Sequence, residues 1–201
     1  HHQSSENGTY PGYLTGEAPF ADNYLLPHEY AHSWNGKSVR PALLWTPHYN
    51  TPMQNELLWV YEGQTEFWAW VLAARAGLYT PEQAREVLAA NAALFEHRTG
   101  RRWRNLQDTV HQGIVDFNDA VQPWDSWQRG FDFYDEGTLV WLDVDTKLRE
   151  LSKGKRSLDD FARSFIGART TNGKVGVQTY VFDDVINALQ ALQAHDWPAF
   201  L

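Results

Sequence analysis

The segment ELLWVYEGQTEFWAWVLAARA, residues 56–76, carries the strongest helical signal in the chain. Its apolar side chains surround the helix axis almost completely, which is typical of a helix buried on most sides. Gly77 follows directly and is placed to end this helix. The next helix is predicted to begin after Thr80, because Thr80-Pro81-Glu82-Gln83 combines an N-cap, a proline at the first helical position and a capping-box glutamine. We expect it to end near Glu96.

Helical patterns continue on both sides of this pair. Upstream, a helix is predicted from Leu25 to Asn35, with Pro27 in its first turn and Gly36 at its end. Downstream, we expect a short helix at 105–112 within an irregular stretch at 97–130, a long helix at 133–152, a helix beginning at the Ser157 cap, and a last helix from Phe182 to the end of the chain. The chain is therefore predicted to be mainly α.

Three stretches lack helical periodicity. Residues 1–22 are rich in Gly, Ser, Pro and Tyr and are predicted to form a loop with one edge strand. Residues 37–55 carry three prolines and are predicted to form a long loop. Asn172-Gly173 is a turn signal, compatible with a small hairpin.

The composition argues against several classes of function. The chain carries 25 Asp and Glu against 17 Lys and Arg, a net charge of -8, and such a surface disfavours nucleic-acid binding. It contains no cysteine, which rules out disulfides, thiolate metal sites and cysteine nucleophiles. No apolar run reaches the length of a membrane-spanning helix. We therefore expect a soluble protein without membrane insertion, and the choice between a bacterial-type cytoplasm and periplasm stays open.

Residues 25–37, LLPHEYAHSWNGK, contain two histidines four residues apart, with a glutamate beside the first. On a helix, positions i and i+4 lie one turn apart on the same face, so His28 and His32 can present both imidazoles to one ion. Glu29 then lies close to that ion without binding it. This HExxH pattern is typical of a catalytic zinc site in which the glutamate acts as the general base. Without cysteine, the third protein ligand must be His, Asp or Glu.

The helix at 56–76 supplies candidates for that third ligand. Glu62 and Glu66 stand one turn apart among tryptophan and phenylalanine side chains, and a carboxylate buried among aromatic rings needs a cation or a hydrogen-bond donor as a partner. We assign Glu62 as the third zinc ligand and expect Glu66 to accept a hydrogen bond that orients one of the histidines. The alternative is that the two carboxylates form an acidic stripe facing solvent.

Together these motifs resemble the glycyl aminopeptidase family of zinc metallopeptidases, which are gluzincins with the thermolysin-like fold. The family pattern is HExxH, then Trp-Asn, then Glu-Gly on a second helix; here the latter two are Trp34-Asn35 and Glu62-Gly63. The similarity continues through FDFYDEGTLVWLDVDTKLRE, SLDDFARSFIG and VFDDVINAL and covers nearly the whole chain. The resemblance implies the helical catalytic lobe of such a peptidase domain, with Asn35 among the residues that support the zinc ligands.

The resemblance also implies roles that the residues alone do not establish. Related gluzincin aminopeptidases carry a tyrosine two or three residues before a glycine that opens a helix, and its hydroxyl stabilises the tetrahedral intermediate. Tyr134 in FYDEG is similar, although many of those enzymes have Lys where this chain has Glu136. Without the family, Tyr134 would be interpreted as a core tyrosine. The family further implies a peptide substrate with a small N-terminal residue such as Gly or Ala.

Members of the family usually carry an upstream β-rich region and a downstream PDZ-like domain, and residues 1–201 resemble neither. We therefore expect one catalytic lobe from a longer protein, with those domains as its neighbours. The family's amine-binding Gly-x-Glu-His stretch would place only its histidine here, near His1 or His2. The expected function is that of a zinc aminopeptidase. Two alternatives stay open: a zinc endopeptidase with the same chemistry, and a non-catalytic peptide-binding module that keeps the fold.

Overall fold

The computed structural model of the protein describes residues 4–16, 20–116, 129–170 and 176–201. Within them the chain is mainly helical, as predicted. The helices are α1 (Leu25–Ala31), α2 (Leu58–Arg75), α3 (Pro81–Glu96), α4 (Leu106–Asp116), α5 (Asp132–Ser152), α6 (Leu158–Phe161), α7 (Ala168–Thr170), α8 (Phe182–Leu192) and α9 (Trp197–Phe200). A π-helical segment, Ala162–Gly167, connects α6 to α7. In this described part, none of the helices is both long enough and apolar enough to span a membrane.

Helices α2 and α5 form the most extensive helix pair in the described fold. They cross closely at Gly63 and Gly137, where a Cβ built on either glycine would lie 2.7 Å from the Cα of the other. Real Cβ atoms do not approach a backbone so closely, so any larger residue would push the two helices apart. Because Gly63 directly follows Glu62, this contact also sets the position of Glu62 relative to α5.

The hydrophobic core surrounds this helix pair. Its largest fully buried side chains include Trp141 on α5, Phe161 on α6 and Trp197 on α9. The rings of Trp59 and Trp141 stack with their centroids 6.3 Å apart, which joins α2 to α5. Aromatic side chains bury large apolar areas, so these rings contribute strongly to the packing of the core.

A cluster of ion pairs lies at the N-terminal end of α5. Asp132, in the first turn of α5, accepts hydrogen bonds from Arg98 and Arg129. Glu136, one turn later, forms ion pairs with Arg129 and with Arg101, the latter at 3.3 Å. The negative charge of Glu136 is therefore balanced by arginines.

The predicted long loop at 37–55 is wrong in its first part. Residues Val39–Pro41 form strand β1, which pairs in parallel with β2 (Gln178–Tyr180), so that Val39 lies opposite Gln178. A 3₁₀ turn, Ala42–Leu44, follows β1. Parallel strands need a long connection between them, and the partner strand here comes more than 130 positions later, so no local pattern announces the pairing. The turn predicted at Asn172-Gly173 lies outside the described residues.

The two ends of the described chain also differ from the predictions. The edge strand expected within residues 1–22 does not occur in residues 4–16 or 20–22, which instead contain 3₁₀ turns at Tyr13–Thr15 and at the start of Phe20–Tyr24. The last helix stops at Leu192, and a new one begins at Trp197 because Asp196 caps it by accepting a hydrogen bond from the Ala199 backbone N–H.

Candidate metal centre

Helix α1 presents both histidines of the HExxH motif to α2. His28 is buried within α1, and His32 is the residue that caps its C-terminus. The two Nε2 atoms lie 3.0 Å apart. The Oε2 atom of Glu62, on α2, is 3.4 Å from the Nε2 of His28 and 3.3 Å from that of His32. The structure therefore brings together all three residues that we assigned as zinc ligands.

These distances fit a single zinc ion. Zinc binds imidazole nitrogen and carboxylate oxygen at about 2.0–2.2 Å, and tetrahedral geometry then separates neighbouring ligand atoms by about 3.3 Å. The Oε2 of Glu62 is buried and has no hydrogen-bond partner in the described residues, which is costly unless a cation faces it. Among the residues described, His28, His32 and Glu62 are the one group of three or more potential ligands that converges in this way.

The titration behaviour of the cluster also fits a cation. Burial favours the neutral imidazole, but the adjacent carboxylates of Glu62 and Glu66 outweigh it and raise the pKa of His28 to about 10. Burial likewise opposes ionisation of Glu62, yet its contacts with His28 and His32 hold the pKa of Glu62 below its usual value. The carboxylates thus favour positive charge between them, and a divalent ion would supply it in place of a proton.

The far nitrogen of each histidine donates a hydrogen bond to an acceptor, which lies on α2 for one histidine and in the turn after α1 for the other. The Nδ1 of His28 lies 2.6 Å from Oε2 of Glu66, and the Nδ1 of His32 lies 2.9 Å from the carbonyl oxygen of Asn35. Each bond leaves the corresponding Nε2 directed at the ligand cluster, which is the usual arrangement of metal-binding histidines. Glu66 is buried, contrary to the alternative of a solvent-facing acidic stripe.

Asn35 connects the turn after α1 to α2 and to β2. Its side-chain amide donates to the carbonyl oxygen of Tyr61 at 3.0 Å and to the hydroxyl of Thr65 at 3.3 Å, both on α2. Its Oδ1 accepts a hydrogen bond of 3.2 Å from the hydroxyl of Tyr180 on β2. A buried side chain with these contacts fixes the turn that carries the carbonyl acceptor of His32.

Gly36 and Tyr61 complete the surroundings of His32. The Tyr61 ring stacks on the His32 ring with 4.8 Å between centroids. A Cβ on Gly36, whose φ is +153°, would lie 2.8 Å from the His32 carbonyl oxygen and 3.0 Å from the Tyr61 hydroxyl. Only glycine fits here. The sequence prediction assigned Gly36 to helix termination alone and missed Tyr61, whose one available signal was its position next to Glu62.

A cleft of about 880 Å³ opens onto the ligand cluster. One part of its lining consists of the three ligand side chains with Glu29 and Tyr134, and another part consists of residues of the segment from Leu44 to Asn55. Glu29 is half-buried, and it follows His28 on α1. The two residues predicted to take part in catalysis therefore line the same cleft as the three predicted ligands.

Tyr134 lies in the first turn of α5, with its ring centroid 6.0 Å from that of His28. Burial, reinforced by the nearby carboxylates of Glu62 and Glu66, raises the pKa of Tyr134 above its usual value. The phenol therefore keeps its proton at neutral pH and can donate a hydrogen bond into the cleft.

Sequence reasoning also missed Arg40, whose side chain lines this cleft. The signal that could have found it is the short alternation Val39-Arg40-Pro41, which reads as a strand with one charged position. The three prolines within residues 37–55 favoured the prediction of a loop instead.

A search of the curated proteins found no match to the chain. A family model described as M61 glycyl aminopeptidase matches residues 22–140, more than half of the chain. The matched region runs from α1 into α5 and so contains all three convergent ligand side chains together with Glu29 and Tyr134. The resemblance drawn from the motifs is confirmed by this match, and the chain, with its buried His-His-Glu cluster, belongs to the M61 glycyl aminopeptidase family.

Proposed function

We propose that this chain hydrolyses peptides as a zinc-dependent aminopeptidase that releases small N-terminal residues such as Gly or Ala. The observation that carries the proposal is the convergence of His28, His32 and Glu62 at 3.0–3.4 Å in the lining of an open cleft. The family's description as glycyl aminopeptidases supports the choice of substrate. We further propose that zinc is the ion, because a site of two imidazoles and one carboxylate, without thiolates, is typical of catalytic zinc.

The three ligands would hold zinc in this proposal, and Glu66 and Asn35 would orient the two imidazoles. When bound, zinc supplies Lewis acidity, which polarises a carbonyl and lowers the pKa of a nearby water. With two imidazoles and one carboxylate as ligands, the site would carry a net charge of about +1. The remaining chemistry belongs to side chains of this chain.

Glu29 is the proposed general base. It adjoins His28 and lines the cleft, so its carboxylate can accept a proton from the water that attacks the scissile carbonyl carbon. It then passes that proton to the leaving amine, so that one carboxylate acts first as a base and then as an acid. Such proton transfer contributes typically about 10²–10⁴-fold to the rate.

Tyr134 is the proposed donor to the developing oxyanion. Its hydroxyl is protonated at neutral pH for the reasons given above and shares the cleft with Glu29. A donor aimed at the position where negative charge develops stabilises the transition state more than the ground state. Removal of one such donor costs typically about 10²–10³-fold in kcat.

The test is hydrolysis of glycyl-4-nitroanilide by the zinc-loaded chain, with kcat measured for Glu29→Gln and Tyr134→Phe. We expect losses of at least about a hundredfold in both variants, with about one zinc per chain retained by elemental analysis. Glu82→Gln, on the exposed surface of α3, is the matched control and should keep full activity.

The substrate's N-terminus decides between the candidate activities. An aminopeptidase should lose activity when the glycyl amine is acetylated. Equal cleavage of the acetylated substrate would replace the proposal by an endopeptidase with the same chemistry. Full activity of Glu29→Gln would exclude Glu29 as the base, and absence of hydrolysis by the zinc-loaded chain would contradict the enzymatic proposal.

A further inference from the structure

Arg40 is a buried cation at the edge of the catalytic cleft. It lies in β1, where successive side chains point to opposite faces. Val39 packs into the hydrophobic core, so the Arg40 side chain is directed away from that core and lines the cleft. Only 7% of the residue is exposed, and its Nε donates a 2.7 Å hydrogen bond to the carbonyl oxygen of Gly36.

No carboxylate in the described ranges forms an ion pair with Arg40. The contrast with Arg129 is direct, because that arginine is equally buried and pairs with both Asp132 and Glu136. Burial lowers the pKa of Arg40, with only the Tyr61 hydroxyl opposing this effect, yet a guanidinium stays charged in proteins. A buried charge without a counterion is costly, so this site favours an anion from the cleft.

The position of Arg40 is close to the reacting centre. Its anchor, Gly36, lies so near His32 and Tyr61 that a Cβ there would contact both, and Tyr61 stacks on the ring of His32. Arg40 is therefore linked through Gly36 to the surroundings of His32, a proposed zinc ligand. An anion bound to it would belong to the part of the substrate next to the scissile bond.

We propose that Arg40 binds a carboxylate on the leaving residue of the substrate and so selects short peptides, above all dipeptides. The proposal rests on the peptidase function proposed above. In a dipeptide the α-carboxylate carbon is two bonds from the scissile nitrogen, and a guanidinium binds carboxylates through paired, charge-assisted hydrogen bonds. Glu29 lines the same cleft and repels such an anion, so a nearby cation favours its binding.

The first experiment compares kcat/KM for Gly-Ala with that for Gly-Ala amide, which lacks only the negative charge. We expect the wild type to prefer the free acid by at least about tenfold, as is usual for a hydrogen bond to a charged group. Arg40→Gln should abolish the preference, and Arg40→Lys should restore part of it. Arg85→Gln, on the exposed surface of α3, is the matched control for long-range charge and should leave the preference unchanged.

A second comparison, of Gly-Asp amide with Gly-Asn amide, identifies the source of the carboxylate. If Arg40 reads an acidic side chain instead of the α-carboxylate, the preference appears in this pair and is absent from the first. Either preference, when lost in Arg40→Gln, supports a carboxylate subsite. Equal rates within both pairs, or a preference that survives Arg40→Gln, would overturn it.

Binding provides a readout that does not depend on turnover. In the zinc-loaded Glu29→Gln background, calorimetric titration should give a Kd for Gly-Ala at least about tenfold lower than for its amide, and Arg40→Gln should equalise the two. If the wild type hydrolyses neither peptide, the peptidase proposal fails while this titration still decides the role of Arg40. If it hydrolyses both without preference and binds them equally, only the inference about Arg40 fails.

Discussion

The two walls of the cleft are built in different ways. On one wall, the helical wall, His28, His32 and Glu62 lie in or beside α1 and α2, and the far nitrogens of the two histidines contact further buried residues. The other wall, the exposed wall, is the segment from Leu44 to Asn55, which is mostly exposed and carries two of the prolines. The difference teaches that the positions of the proposed ligands depend on helix packing, whereas the exposed wall can vary without disturbing them.

The largest expected effect is the loss of Glu62, the proposed metal ligand on the helical wall. Glu62→Gln keeps the size of the side chain and removes its charge, and we expect the zinc affinity to fall by more than about a hundredfold, beyond the loss typical of residues that only support a ligand. The measurement is a competition titration with a chelating indicator.

Glu66→Gln is the matched variant one turn later on α2. Glutamine can still accept a hydrogen bond from the Nδ1 of His28, so we expect the zinc affinity to fall only about tenfold, within the usual range for such supporting residues. Equal losses in the two variants would contradict the assignment of Glu62 as the ligand and Glu66 as its support.

The next largest effect is expected for a substitution that tests whether helix packing holds the helical wall in place. Gly63→Ala introduces a methyl group 2.7–2.9 Å from backbone atoms of α5, and a backbone cannot turn aside as a side chain can. We expect the free energy of unfolding to fall by about 3 kcal/mol, near the upper end for overpacking. Urea denaturation followed by tryptophan fluorescence measures it.

Gly130→Ala is the control for this glycine, because no atom of the described residues lies within 4 Å of its added Cβ. Its free energy of unfolding should change by less than about 0.5 kcal/mol. A loss in Gly63→Ala no larger than that of the control would mean that α2 and α5 can separate without cost.

The helical wall could be predicted from the sequence because its signals are local. The i, i+4 spacing of the histidines and the helical pattern around Glu62 are each contained within one helix, and burying a carboxylate demands a partner. The family resemblance was needed to give Tyr134 a role, since a tyrosine near aromatic residues reads as core.

What could not be predicted depends on contacts between distant residues. Strand β1 exists because residues 178–180 return to pair with it, and the buried position of Arg40 follows from that pairing. The carbonyl of Asn35, as the acceptor for His32, could not be predicted either, because every residue carries a carbonyl group and only the turn geometry selects this one.

The smallest expected effect is that of a substitution on the exposed wall. Tyr49 lines the cleft but is fully exposed, and replacing an exposed side chain away from special features changes stability by less than about 0.5 kcal/mol. We therefore expect Tyr49→Ala to keep both the free energy of unfolding and the zinc affinity of the wild type. Tyr61→Ala, on the helical wall, removes a buried ring stacked on His32 and should cost about 3–5 kcal/mol. If urea denaturation gave similar losses for both tyrosines, the exposed wall would be as much a part of the packed structure as the helices that carry the metal ligands.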